Sequence, residues 1–247
     1  MTTMLSIRGL SVRFGGVLAV DDLSFEIEQN QLLGLIGPNG AGKTTIMRAL
    51  TGALAPARGE VRFQGASINN LPVFRRAQLG IGLSQQMVRP FANLTALDNV
   101  SFAAGSAHTK SVLQSLLRVS RLRERDRAHA LLQRVGIEEY ARAWPGELPL
   151  GVLKRLELAR ALALGPRLLL LDEPLAGLNH MEATRVADTI AGLVEDGLTV
   201  ILIEHNLSEV VRVCSCMIVV DNGKKIAHGV PDEVMADQRV RDAYLGS

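Results

Sequence analysis

Residues Gly37-Pro38-Asn39-Gly40-Ala41-Gly42-Lys43-Thr44-Thr45 spell G-x-x-x-x-G-K-[ST], directly after the apolar run Leu32-Leu33-Gly34-Leu35-Ile36. A buried strand feeding a glycine-rich turn and then a helix is the setting this motif needs, so the chain must build an α/β core around it. Backbone N–H groups of such a turn, with the positive end of the helix, face inward and bind phosphate oxygens. Glycines serve because a Cβ would block both the turn and the close approach. Lys43 would set a point charge between the β- and γ-phosphates, and the Thr44 hydroxyl is placed to ligate Mg²⁺.

The rest of the chain is consistent with that core. Its 247 residues are 47% hydrophobic and only 4% aromatic, which suits the Val/Ile/Leu runs of a buried parallel sheet. A net charge of +2 makes no demand for nucleic acid or an anionic membrane. Residues 5–28 alternate apolar and polar and predict antiparallel strands joined by a turn at Gly15-Gly16. Buried strands are expected at 31–36, 168–172, 199–203 and 217–221, with helices at 43–54, 182–195 and 207–213. A short helix is expected at 73–79, a short strand at 80–84, and a tail helix over 231–245 opened by Pro231-Asp232-Glu233. From about 94 to 164 the strand signals vanish. Leu113, Leu116 and Leu117, then Leu131, Leu132 and Val135, recur at helical spacing, which predicts a helical lobe anchored by Trp144. Cys214 and Cys216 are expected to alternate within a strand as a reduced pair. One domain is expected, with 1–86 and 166–247 forming the core and 87–165 the lobe. No run reaches the ~18 apolar residues that span a bilayer, so any spanning would fall to another subunit.

Leu168-Leu169-Leu170-Leu171-Asp172-Glu173 is an apolar strand ending in two carboxylates. A strand beside the loop strand is expected to end in an Asp that holds Mg²⁺, and Asp172 fits. Glu173 can reach the attacking water as a base. Gln86 and His205 follow two further strands, at the sheet edge where ligands bind. Spacing alone singles out neither.

In order along almost the whole chain, these residues resemble the ATP-binding subunit of ABC transporters. The resemblance implies a P-loop core of mixed, largely parallel sheet, an antiparallel β subdomain and an inserted helical subdomain, working on ATP and Mg²⁺. It casts Phe14 as the residue that stacks on adenine, Gly37 to Thr45 as the Walker A loop, and Gln86 as the glutamine that touches Mg²⁺ and the membrane subunit. Asp172 becomes the Walker B aspartate, Glu173 the catalytic glutamate, Ala176-Gly177-Leu178-Asn179 the D-loop and His205 the switch histidine. Arg13-Phe14-Gly15-Gly16, Ile203-Glu204-His205-Asn206 and Asp242-Ala243-Tyr244-Leu245-Gly246 are similar to the branch that imports branched-chain amino acids, amides and urea.

One departure stands out. The family signature L-S-G-G-Q, which closes on ATP held by the other cassette of a dimer, aligns with Leu148-Pro149-Leu150-Gly151-Val152. Pro149 offers neither the Ser hydroxyl nor an N–H, and Val152 lacks the Gln amide. A second, different ATPase subunit is therefore expected, giving two unequal sites, with a homodimer left open. The resemblance also implies two membrane permeases, an indirect periplasmic solute-binding protein, no nucleic acid, and a place on the cytoplasmic face of the membrane. A non-transport ATPase of the same family and a weakly hydrolysing regulatory subunit remain open alternatives.

Overall fold

The computed structural model describes residues 2–14, 16–84, 90–106 and 121–245. Two sheets of different character carry it. The first is antiparallel, in the order β2-β1-β4-β5, and is built from β1 (Thr3–Phe14), β2 (Val17–Glu28), β4 (Arg58–Phe63) and β5 (Ala66–Ser67). The second holds β3 (Leu32–Ile36), β6 (Ile81–Ser84), β7 (Leu168–Asp172), β8 (Thr199–Ile203), β9 (Cys216–Asp221) and β10 (Lys224–Gly229), in the order β10-β9-β3-β8-β7-β6. Its pairs are parallel except β9–β10.

The buried strands read as continuous apolar runs because both faces of the second sheet are covered. Alternate residues separate into two cores. Leu33, Leu35, Leu170 and Ile201 pack with the antiparallel sheet and with Ile46 and Leu50 of α1 (Lys43–Thr51). Leu32, Ile36, Leu171 and Leu202 face the other way, toward α6 (His180–Glu195), α7 (Leu207–Val213) and the helices between β6 and β7. In that stretch the described residues form α3 (Ala96–Ser106), α4 (Arg121–Arg134), α5 (Leu150–Ala163) and two short 3-10 turns, with no strand. Short α2 (Val73–Leu79) precedes β6. Leu132 and Val135 are buried, whereas Leu113, Leu116 and Leu117 lie outside the described residues.

Several expectations need correction. Strand β8 lies between β3 and β7, so the strand ending in Asp172 is not the loop strand's neighbour. Helix α1 stops at Thr51 rather than 54, because Gly52 turns left-handed (φ 81°) and its N–H caps Ala49. The tail is two helices, α8 (Pro231–Ala236) and α9 (Gln238–Leu245). Asp237 between them is extended, and its carboxylate accepts the Arg239 N–H at 2.9 Å, which starts the second helix. Cys214 caps the end of α7, so only Cys216 belongs to a strand. Trp144 is 47% exposed, and the turn it opens is held by Glu147, which accepts the Trp144 N–H at 2.9 Å. Strand β10 was not anticipated, although Asn222-Gly223, both at positive φ, is a strong hairpin signal.

Candidate functional site: a nucleotide site at the carboxyl edge of the sheet

The glycine-rich loop is pinned from two sides. Gly37 adopts φ 150°, and a Cβ there would lie 1.9 Å from the Val220 carbonyl oxygen on β9. At Gly42 (φ 101°) a Cβ would come within 2.5 Å of the Ala19 carbonyl on β2. Gly223 N–H donates to the Ala41 carbonyl at 3.0 Å, tying the β9–β10 turn to the loop. The loop is thus wedged between both sheets, and glycine is the residue that fits. No side chain caps the N-terminus of α1. Lys43, buried within the loop, donates from Nζ to the carbonyls of Gly37 at 2.6 Å and Pro38 at 3.0 Å. Burial lowers its pKa, opposed by the charges of Glu173 and Asp172.

Parallel register brings the remaining groups to the same edge. Ile203 pairs with both Leu35 and Asp172, so the chain leaves β3, β8 and β7 at one level. Asp172 is half-buried. Its pKa is raised by that burial and by Glu173, against the lowering pull of Lys43, Arg48 and His205. Glu173 N–H extends the ladder to the Ile203 carbonyl at 2.9 Å. The residue then turns left-handed, at φ 52°. For a side chain other than glycine that conformation costs about 1 kcal/mol or more. The turn leaves Glu173 Oε1 2.9 Å from His205 Nε2. A carboxylate orienting an imidazole, beside a buried lysine and a second carboxylate, is a constellation suited to proton transfer next to bound phosphate.

Beneath this pair lies Glu204, which is almost fully buried. Its Oε1 accepts the Leu175 N–H at 2.6 Å and its Oε2 the His205 N–H at 3.1 Å. Burial raises its pKa, and these backbone bonds oppose the shift. The Ala176–Asn179 segment follows, with Gly177 at φ 80°. Asn179 caps α6 in a reciprocal box: its side chain accepts Glu182 N–H at 3.0 Å, and Glu182 accepts Asn179 N–H at 3.2 Å. Leu148–Val152 runs into α5 beside it. Pro149 is the N-cap, and Val152 is buried in the core. Gly151 backs onto Glu182, and Leu150 onto Gly177.

These sequence patterns are those of a known family. The model of the ABC transporter family matches residues 20–176, and that of the branched-chain amino acid ATP-binding cassette transporter matches residues 224–247. The chain belongs to the ABC transporter family. It is a cassette ATPase of that family. The cassette is 37% identical to the high-affinity branched-chain amino acid transport ATP-binding protein BraF of Pseudomonas aeruginosa, over 98% of each chain. It is 34% identical to the lipopolysaccharide export system ATP-binding protein LptB of Escherichia coli, over 98% of this chain and 97% of that one. Among solved structures, the ADP conformation of the cassette MJ1267 superposes with a TM-score of 0.88 at 27% identity, over the full length of both.

Lys43, Asp172, Glu173 and His205 meet at one edge of the cassette. Gln86 lies outside the described residues, as does the side chain of Phe14. Two contributors escaped the sequence reading. Tyr244 of α9 takes a hydrogen bond on its hydroxyl from the Gly37 backbone, and burial pushes its phenol up to about 12. Lys154 of α5 is buried. The signal for it was a lysine spaced three and four residues from the buried Gly151 and Leu158, on the inward face of its helix.

Proposed function

We propose that this chain powers an importer of branched-chain amino acids or related amides, with its nucleotide site completed by a second cassette. The observation that carries the catalytic reading is the 2.9 Å pair between Glu173 Oε1 and His205 Nε2, at the strand edge that also holds Lys43. In this reading Phe14 stacks on adenine, and the Gly37–Thr45 backbone with Lys43 cradles the β- and γ-phosphates. Glu173 takes a proton from water as its oxygen attacks the γ-phosphorus in line with the departing ADP oxygen. His205 orients that carboxylate and the transferred group. Gln86 reports to the membrane subunit.

The donor set suits Mg²⁺. Among the described residues no group of three His, Cys, Asp or Glu side chains forms a protein cage. Mg²⁺ seldom needs one, since it keeps waters and binds through one or two protein groups plus substrate phosphates. Thr44, Asp172 and Gln86 would hold it, and when bound it would neutralise charge developing on the phosphates.

Closure draws the Leu148–Val152 segment of one cassette over the nucleotide of the other, with Ala176–Asn179 lining the joint. In this chain Val152 packs inward and Pro149 carries no donor. That favours a heterodimer with unequal sites, in which this chain's own site is the competent one. Two permease subunits would span the membrane, fed by a periplasmic binding protein, with the cassette at the cytoplasmic face. No helix among the described residues is long and apolar enough to span it. The importer branch rests on the carboxyl-terminal match and on BraF. The likeness to LptB, named for export, makes solute the point to test. Deleting the gene and measuring uptake of labelled leucine, isoleucine, valine and urea decides it; unchanged uptake of all four refutes the importer reading. Glu173→Gln should keep ATP binding and lose turnover, and normal phosphate release by that variant would refute the base assignment.

A further inference from the structure

We infer that Lys154 is a positioning residue that couples the tilt of α5 to the conformation of the Glu173 peptide. The inference rests on the reading of Glu173 as the base. Lys154 sits one turn into the helix whose first residues are the Leu148–Val152 segment, and it is 8% exposed. Its Nζ donates to the Glu173 carbonyl at 3.4 Å. That carbonyl belongs to the residue held at φ 52°, whose carboxylate meets His205. Burial lowers the pKa of this ammonium, opposed by the charges of Glu204, Glu173 and Glu157. Glu204 in turn fixes the backbone N–H groups of Leu175 and His205, on either side of the Glu173–His205 pair.

The arrangement has a mechanical consequence. A left-handed non-glycine residue persists only where its surroundings over-determine it. Here the Glu173 N–H is held by β8, and its C=O accepts both the Ala176 N–H at 3.2 Å and, from α5, the Lys154 ammonium at 3.4 Å. Movement of α5 relative to the sheet therefore acts, through Lys154, on the carbonyl side of a residue whose N–H stays bound to β8. A cassette that closes on a partner through the start of α5 thereby changes the aim of its own Glu173. Beside Lys154 lies a small cleft lined also by Ser84, Glu157, Leu171, Pro174 and Ile190.

The test compares Lys154→Met, Lys154→Arg and Lys154→Met/Glu204→Gln in the cassette purified with its partner subunits. Wild type and Glu173→Gln serve as controls. Misaiming a reacting group by about 1 Å lowers turnover up to ~100-fold. Lys154→Met should therefore lose roughly ten- to a hundredfold in kcat, while KM for ATP and the affinity for a fluorescent ATP analogue stay within about threefold. Lys154→Arg should recover most of kcat. The double variant removes the charge that Lys154 neutralises, so it should regain thermal stability without regaining turnover. Three results would overturn the inference: wild-type kcat in Lys154→Met, loss of nucleotide affinity in parallel with kcat, or restored turnover in the double variant. The last would make Lys154 a counter-charge for Glu204 and nothing more. If Glu173→Gln itself turns over normally, the reading of Glu173 fails, and the Lys154 variants then report on stability alone.

Discussion

Arg76 is the most deeply buried charge in the described structure, and no carboxylate meets it. Its guanidinium instead donates to four carbonyls: Ala49 at 2.7 Å and Leu50 at 3.0 Å near the end of α1, Leu71 at 3.0 Å and Asn69 at 3.1 Å. A cation at a helix C-terminus opposes the partial negative charge there. Removing it would strand several buried carbonyls, each worth about 1–3 kcal/mol. Arg76→Met should therefore destabilise the fold by about 3 kcal/mol or more, read as a shifted urea midpoint, with Arg76→Lys recovering part. Glu204 poses a titration question. Its folded pKa lies above the ordinary 4.5 because of burial. The stabilising contribution of such a carboxyl is full below 4.5 and is lost as pH rises through the folded value. Wild type should gain stability relative to Glu204→Gln as pH falls from 8 toward 4.5. A difference independent of pH would show that folding does not raise the pKa of Glu204.

At the scale of elements, the loop and the helix caps decide what the site can do. Gly37 and Gly40 look alike in sequence and differ in space. A Cβ on Gly37 meets the Val220 carbonyl at 1.9 Å, while one on Gly40 meets nothing within 4 Å. Gly37→Ala should abolish nucleotide binding or folding. Gly40→Ala carries only the left-handed penalty, about 1–2 kcal/mol, and should fold, as a nucleotide titration and a melting curve will show. The loop, the Leu168–Glu173 strand and α7 were legible because each is a local pattern: a fixed spacing, an apolar run, a 3.6-residue period. The break at Asp237 and the early end of α1 were not read, since each rests on one residue's backbone conformation. Lys154 was missed for a different reason. A lysine on a helix reads as solvated until its neighbours in space are known.

At the scale of the molecule, the cassette is one half of a working unit in the proposed reading. Its own edge carries Lys43, Asp172, Glu173 and His205, whereas the segment it would lend to a partner has a proline at the N-cap and an inward valine. Unequal sites make a clear prediction for the assembled complex. Glu173→Gln in this chain should remove most ATP turnover, and the matching substitution in the partner little. Equal losses would count against the unequal pair. A Pro149→Ser/Val152→Gln variant should raise hydrolysis at the partner's site, so the residual rate of the Glu173→Gln complex should climb.

The sequence alone determined the nucleotide chemistry, because a phosphate loop and a strand-end carboxylate pair are short-range patterns whose residue types follow from charge and sterics. It also determined the α/β class, since strands buried on both faces must be apolar throughout. Tertiary structure decided the strand order, which seats β8 between the loop strand and the Asp172 strand. It decided that Gly37 is fixed by a carbonyl 183 residues away in the chain, that of Val220. It decided too that buried Lys154 reaches the Glu173 carbonyl and feels the charge of Glu204, 50 residues further along the chain. Those facts depend on contacts between distant segments, and packing of the whole chain, unlike local spacing, selects them.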